Sequence, residues 1–170
     1  SNVYCLNDTD PVPTITGTAG GVFTISGAGV IDPVTGVVDL VGSGVGGYQI
    51  TYTTSGMCPD VSSVQIAIDP IGDPSILPVG PFCQYDDPIA LTPVDLGGVW
   101  SGPGVDPSTG VFDPSQANAG INTITYTLLG ACGGSGTVQI IVNPTPTVNT
   151  ISDTSINLGQ SVDLVTIGSG

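Results

Sequence analysis

The chain has 170 residues, with 26 glycines, 15 prolines and 14 acidic residues that are all aspartate, and it contains no lysine, arginine or histidine. Nucleic acid is excluded as a partner at a net charge of −14, because affinity for phosphates comes mainly from lysine and arginine. Anionic membrane surfaces are disfavoured for the same reason. Membrane insertion is not predicted either, because no apolar run reaches about 18 residues.

Two copies of one pattern fill most of the chain and predict its organisation. Tyr52 and Cys58 recur 74 residues later as Tyr126 and Cys132, and the segment GGVF at 20–23 recurs as GGVW at 97–100. Glutamate, lysine and arginine are absent, so exposed helices lack their usual charge pairs, and an all-β chain with many turns is predicted. We expect tandem antiparallel β-sandwiches: repeat 1 at 1–69, a linker at 70–74, repeat 2 at 75–143, and an incomplete third β domain at 144–170.

The strands are predicted from alternating and β-branched runs bounded by turn residues. In repeat 1 they lie near 12–16, 21–25, 37–41, 48–53 and 64–68, and in repeat 2 near 89–92, 98–101, 111–113, 122–128 and 137–142. Asp32 and Asp106 each begin an Asp-Pro-x-Thr-Gly turn, a typical use of aspartate. No helix longer than a turn or two is expected.

The tail resembles the opening of a third sandwich, with a turn at 157–159. About twenty residues cannot bury a sandwich core. Either the natural chain continues, or the tail completes the sheet of a neighbour by strand donation.

The four cysteines indicate an oxidising compartment, and they allow three pairings. The spacing that repeats in both halves favours Cys5–Cys58 and Cys83–Cys132. A redox role would need a thiolate activated by a neighbouring positive group, which this composition does not supply.

Four aromatic residues at matching positions are predicted to fill the two cores: Phe23 and Tyr52 in repeat 1, Trp100 and Tyr126 in repeat 2. A large aromatic ring often fills a core this small. The alternative is that Phe23 and Trp100 are platforms for stacking sugars.

Calcium is the one cofactor that the sequence leaves open. Asp69 and Asp73 flank the first linker and are weak candidate ligands, because calcium binds several carboxylate and carbonyl oxygens on a turn. The competing explanation is that these aspartates simply begin turns. No other cofactor is expected, and no enzyme activity, since histidine, lysine, arginine and glutamate are all missing.

The repeat pattern resembles that of a known family. A cysteine before a turn, then GG-V-W/F, S-G-x-G-V, D-P-x-T-G, T-I-T-Y-T, a second cysteine and V-Q-I resemble the immunoglobulin-like repeats of very large surface adhesins of gliding, type IX-secreting bacteria. The resemblance implies immunoglobulin-like sandwiches at the cell surface, outside the cell. It implies a stalk or spacer role in a filamentous adhesin or surface fibre, with neighbouring repeats and self-association into fibres as the contacts. The alternative function is a glycan- or calcium-binding extracellular module.

Overall fold

The computed structural model of the chain describes residues 2–146, together with 148–149, 158–159 and 167–168. The chain divides into two compact units. One comprises Ser1–Ser75, Pro93–Val99 and Tyr126–Gly136, and the other comprises Ile76–Thr92, Trp100–Thr125 and Thr137–Gly170. The repeat boundaries at 69 and 75 stay a prediction.

The first repeat forms a four-stranded sheet and a small two-stranded one. Its elements are β1 Asn2–Cys5, β2 Val22–Ile25, β3 Val30–Ile31, β4 Val38–Asp39, the single helical turn α1 Leu40–Ser43, β5 Gly46–Thr53 and β6 Val61–Asp69. The large sheet has the order β1-β6-β5-β2, and β3 pairs with β4.

The large sheet of the second repeat has the same plan as that of the first, but its outer strand Phe82–Cys83 has two residues where β1 has four. The elements of this repeat are β7 Phe82–Cys83, β8 Ile89–Ala90, β9 Gly98–Ser101, β10 Val111–Phe112, β11 Gly120–Leu128 and β12 Ser135–Asn143. The four-stranded sheet has the order β7-β12-β11-β9, and β10 pairs with β8. The prediction of an all-β chain of tandem sandwiches is therefore confirmed.

Three predicted strands differ clearly from the structure: the one at 89–92 in repeat 2, which ends at Ala90, and two in repeat 1. No strand forms at 12–16, because Pro11 and Pro13 cannot donate the hydrogen bonds of a ladder. The strand predicted at 37–41 ends at Asp39, whose side chain caps α1 by accepting a hydrogen bond from the Gly42 N–H at 2.7 Å. A capping aspartate stabilises the first helical turn.

The outermost strand of each large sheet runs parallel to the last strand of its repeat. In β1, Cys5 is the register partner of Asp69 at the end of β6, and in β7, Cys83 is the partner of Asn143 at the end of β12. Neither strand was predicted from the sequence, because strands of four and two residues are too short to show an alternating pattern. The parallel pairing fixes which end of the sheet each cysteine occupies.

Each repeat has its own apolar core. In repeat 1 the buried cluster combines the large sheet with β4 and α1, and consists of Phe23, Val38, Leu40, Ile50, Ile66 and Ile68. The fully buried apolar side chains of repeat 2 include Phe112, Ile124, Ile140 and Val142. The rings of Phe82 and Phe112, on β7 and β10, lie 5.9 Å apart and join its two sheets.

Most of the predicted third domain lies outside the described residues. What is described is β13 Val148–Asn149, which pairs with β14 Ile167–Gly168 in antiparallel register, and a turn at Leu158 and Gly159. Gly159 has a φ of 92°, a conformation that glycine adopts readily. The two alternatives for the tail both stay open.

Candidate functional site

A disulfide bond joins Cys5 to Cys132, with 5.3 Å between their Cα atoms. Cys5 ends β1, and Cys132 lies in the loop between β11 and β12. The bond therefore joins the two sequence repeats, and it lies within the first compact unit. Cys58 and Cys83 are free thiols, the first exposed and the second half-buried. The pairing Cys5–Cys58 and Cys83–Cys132 predicted within repeats is therefore wrong.

The parallel register of β1 explains why the predicted pairing fails. Cys5 lies beside Asp69, at one end of β6, whereas Cys58 precedes Val61, at the other end. The nine residues of β6 span about 26 Å, and a disulfide needs Cα atoms within about 7 Å. The same argument separates Cys83, beside Asn143, from Cys132, which precedes Ser135.

Backbone contacts hold both halves of the disulfide in place. The Asp8 carboxylate accepts a hydrogen bond from the Cys5 N–H at 2.7 Å, and the Cys132 carbonyl accepts one from the Gly72 N–H at 3.0 Å. A Cβ on Gly72 would lie 2.8 Å from Cδ1 of Leu128, so the close approach of this segment favours glycine. The positions of Asp8 and Gly72 beside a disulfide were not predicted from the sequence. The recurring Cys-x-x-Asp at 5–8 and 83–86 is the signal that could have found Asp8.

An open depression of about 380 Å³ lies beside this disulfide. Its lining includes the candidate ligand Asp69, together with Asp95, Leu96 and Leu128. Asp73, the second candidate, is engaged elsewhere, since its Oδ1 accepts a hydrogen bond from the Ser75 N–H at 2.9 Å. Hydrogen bonds from the side chain and backbone of Ser75 lower the pKa of Asp73. No three aspartate or cysteine side chains converge as metal ligands would anywhere in the described part of the chain.

In each repeat a tyrosine hydroxyl makes hydrogen bonds to two backbone groups at equivalent positions. The Tyr52 hydroxyl accepts a hydrogen bond from the Gly21 N–H at 2.8 Å and donates one to the Thr18 carbonyl at 3.0 Å. Tyr126 does the same with the Gly98 N–H and the Asp95 carbonyl, at 2.8 and 3.0 Å. We call this arrangement the tyrosine latch.

The predicted core aromatics differ in burial between the repeats. Phe23, Trp100 and Tyr126 are buried, and Tyr52 is half-buried against the rings of the repeat 1 core. A Cβ on Gly110, the glycine of the second Asp-Pro-x-Thr-Gly turn, would lie 2.5 Å from Nε1 of Trp100. The indole therefore packs directly on the turn backbone, and this position leaves its faces little room to stack a sugar.

The aspartates that begin these two turns are bound to backbone amides. Asp32 Oδ1 accepts hydrogen bonds from the N–H groups of Thr35 and Val34, both at 2.8 Å. Asp106 Oδ1 accepts them from the Thr109 N–H at 2.8 Å and hydroxyl at 2.9 Å, and from the Ser108 N–H at 3.0 Å. These hydrogen bonds lower the pKa of both carboxyl groups. The largest contribution comes from the Thr35 amide for Asp32 and from the Thr109 amide for Asp106.

Buried polar groups are satisfied within the described residues. Every buried side-chain nitrogen or oxygen in this part of the chain has a hydrogen-bond partner. The described helical structure includes no segment of the length and apolarity needed to cross a membrane.

Comparison with known proteins gives only distant structural likenesses. No protein-family profile and no curated protein matches the chain. Among solved structures, mouse cadherin-23 EC22-24 aligns at 14% identity over 86% of this chain and 63% of its own, with a TM-score of 0.34. Drosophila N-cadherin EC1-4 aligns at 16% over 85% and 47%, TM-score 0.40, and human protocadherin-24 EC1-2 at 9% over 84% and 92%, TM-score 0.34. At these values the likeness carries no argument about function.

Proposed function

We propose that this chain is a structural spacer of an extracellular filamentous adhesin or surface fibre, without catalytic activity. The observation that carries the proposal is the disulfide between Cys5 and Cys132, which joins the two repeats covalently across a sequence separation of 127 residues. A bond of this kind limits how far the chain between its two cysteines can extend under load. Disulfides persist in oxidising compartments, which supports an extracellular location.

Composition supports the same role. The chain contains no lysine or arginine, so trypsin-like proteases have no site to cut. A uniform negative charge keeps neighbouring stalks soluble and apart. Tandem repeats whose contacts are mainly with their neighbours are typical of extended proteins.

The motif resemblance supports a more specific setting for this spacer. The pattern at 97–127 is similar to repeats of the large surface adhesins of gliding, type IX-secreting bacteria, and we propose that the chain works in such an adhesin. Its contacts are then the neighbouring repeats of the same long chain, with self-association into fibres as a further contact. Adhesion itself would reside in other modules.

Electron microscopy of the native assembly at the cell surface tests the spacer role. A thin beaded fibre labelled by antibodies against this chain is the expected result. A compact, released monomer, or labelling confined to the cytoplasm, would overturn the proposal. Antibody against a peptide from the exposed 55–60 loop is a suitable probe, because this loop is accessible in the folded chain.

The alternative function, a glycan- or calcium-binding module, is favoured by one feature, the depression that Asp69 and Asp95 line. Calcium binding to the folded state would raise the melting temperature with concentration. The matched control is Asp69→Asn, which removes one carboxylate from the depression. A calcium-dependent rise that this variant abolishes would support binding, and an unchanged melting temperature up to millimolar calcium would exclude it.

A further inference from the structure

The two free cysteines occupy the same local structures as the two bonded ones. Cys83 matches Cys5: the Asp86 carboxylate accepts a hydrogen bond from the Cys83 N–H at 2.7 Å, as Asp8 does from Cys5. The next residue also matches, since the Gln84 N–H donates to the Asn143 carbonyl at 3.0 Å and the Leu6 N–H to the Asp69 carbonyl at 3.1 Å. Cys83 is thus presented at the end of β12 as Cys5 is at the end of β6.

Cys58 matches Cys132 in the same way. Each cysteine lies in the loop before the last strand of its repeat. A backbone hydrogen bond spans each loop, and the cysteine is two residues before the residue that accepts this bond. The Thr54 N–H donates to the Asp60 carbonyl at 2.9 Å, and the Leu128 N–H donates to the Gly134 carbonyl at 2.8 Å. Cys58 is exposed at the tip of its loop.

We propose that Cys58 and Cys83 are the two complementary halves of further inter-repeat disulfides, built like Cys5–Cys132. Cys83 is a strand-end cysteine and bonds to a loop cysteine of another repeat of this kind. Cys58 is a loop cysteine and bonds to a strand-end cysteine of another such repeat. Pairing is therefore directional, strand end to loop, and neither cysteine pairs with its own kind. The inference rests on the equivalence of the repeats and does not need the spacer role.

The chemistry is a thiol–disulfide exchange with a small disulfide such as glutathione disulfide as the oxidant. The thiolate of one cysteine attacks the small disulfide, which releases one small thiol and forms a mixed disulfide. The thiolate of the second cysteine then attacks the protein sulfur of this mixed disulfide, which forms the protein disulfide and releases the second small thiol. Two protein thiols are oxidised to one disulfide, one small disulfide is reduced to two thiols, and the two protons pass to the departing thiolates.

Two single variants of the full chain test the directionality. Cys58→Ser retains only the strand-end thiol Cys83, and Cys83→Ser retains only the loop thiol Cys58, while Cys5–Cys132 stays intact in both. One variant is isotope-labelled, the two are mixed and oxidised with glutathione disulfide, and the dimers are quantified by mass. Because matched surfaces raise the effective concentration of the correct pair, the mixed dimer should exceed either homodimer by about tenfold.

A mixed dimer in only the ratio that random collision gives, predominant homodimers, or no cross-linked product would each overturn the proposal. A melting curve for each variant shows that it folds, with the double variant Cys58→Ser/Cys83→Ser as the monomeric control.

Disulfide mapping of the native protein then identifies the source of the partner repeat. Free thiols are alkylated before extraction, and the protein is digested with a non-tryptic protease. A Cys83 peptide linked to a loop cysteine outside residues 1–170 indicates a partner in a longer polypeptide, and one linked to Cys58 indicates a second copy of this chain. Both results support the inference. Alkylated Cys58 and Cys83 would contradict it.

Discussion

The two repeats share the tyrosine latch but hold the segment before their long central strand by different means. In repeat 1 the Tyr48 hydroxyl shares its proton between the carbonyls of Ser43 and Gly44 at the end of α1. The residue 74 positions later is Asn122, which is 1% exposed. Its side chain accepts from the Asn118 N–H at 3.0 Å and donates to the Asn118 and Gly120 carbonyls at 2.7 and 3.2 Å.

The comparison indicates which parts of the repeat pattern can be replaced by a different residue type. The latch needs a tyrosine and a glycine that face each other at fixed positions, and both repeats retain them. The segment before the long central strand needs only a side chain that donates to its backbone carbonyls. A half-buried tyrosine does so in repeat 1, and a buried asparagine does so in repeat 2. Substitutions confined to one repeat separate the contributions of the two. The single tryptophan, Trp100, reports on repeat 2 by its fluorescence, and tyrosine absorbance and far-UV circular dichroism report on the whole chain.

Loss of the Cys5–Cys132 bond should reduce the stability of the chain more than any other change considered. Cys5→Ser opens a loop of 127 residues, whose closure is worth about 5 kcal/mol in the chain-entropy account. We expect the free energy of unfolding in denaturant to fall by a large part of that amount. Cys58→Ser is the matched control and should leave the monomer unchanged. Equal stability of the two variants would show that the bond contributes nothing.

The latch glycines should be the next most sensitive positions. A Cβ at Gly98 would lie 2.5 Å from the Thr127 carbonyl oxygen and 2.6 Å from the Tyr126 ring, and at Gly21 the corresponding distances are 2.4 and 2.6 Å. Backbone cannot move aside easily, so Gly98→Ala and Gly21→Ala should each cost about 3 kcal/mol.

Gly47→Ala is the control for both latch glycines, because a Cβ there meets no atom within 4 Å. Only Gly98→Ala should shift the tryptophan-detected transition by the full amount. A loss in one repeat but not in the other would break the equivalence of the two latches.

The loop donors should separate the repeats. Asn122→Ala removes all three hydrogen bonds of a side chain that is 1% exposed, and should cost about 2–3 kcal/mol. Tyr48→Phe removes a hydrogen bond at a half-buried site, where water replaces part of it, and should cost about 1 kcal/mol. Thermal unfolding of the two variants measures both. Equal losses would mean that the deeper burial of the asparagine has no energetic consequence.

The contribution of Asp32 and Asp106 to stability should be the smallest, and it should be visible as a loss of stability at acidic pH. The folded pKa values of Asp32 and Asp106 lie below the ordinary 3.8, so their ionised forms stabilise the fold above that value. This contribution is lost as the pH falls through the folded pKa values, and the melting temperature should drop below about pH 4. The double variant Asp32→Asn/Asp106→Asn should show a shallower drop. An unchanged acid profile would remove these turns as its cause.

The sequence predicted the central strands well because their signal is local. Alternation at 48–53 and 122–128 placed β5 and β11, and the Asp-Pro-x-Thr-Gly turns are where they were expected. The cysteine pairing failed because it depends on β1 and β7, which are too short to show a period. Matched spacing in the two repeats was compatible with bonds within repeats and with bonds between them, and only the parallel register distinguishes the two.

The metal site shows a second limit of sequence spacing. Asp69 and Asp73 are four residues apart, but spacing alone does not show which oxygens are already in use. Asp73 is hydrogen-bonded to Ser75, and the acid that shares the depression with Asp69 is Asp95, distant in sequence. The calcium hypothesis stays a prediction.

The Cys5–Cys132 bond also changes how a pulling force would pass through the chain. Tension applied to the backbone before Cys5 and after Cys132 would cross the sulfur–sulfur bond, so the 126 residues between them would carry none of it. At about 3.5 Å per residue, roughly 440 Å of chain length is locked away from extension. Under the proposed strand-end to loop pairing, the bridge from Cys83 would begin before the bridge at Cys132 has ended. Successive bridges would then overlap, and the backbone between Cys83 and Cys132, which includes β8 to β11, would be the stretch that transmits the load from one bridge to the next.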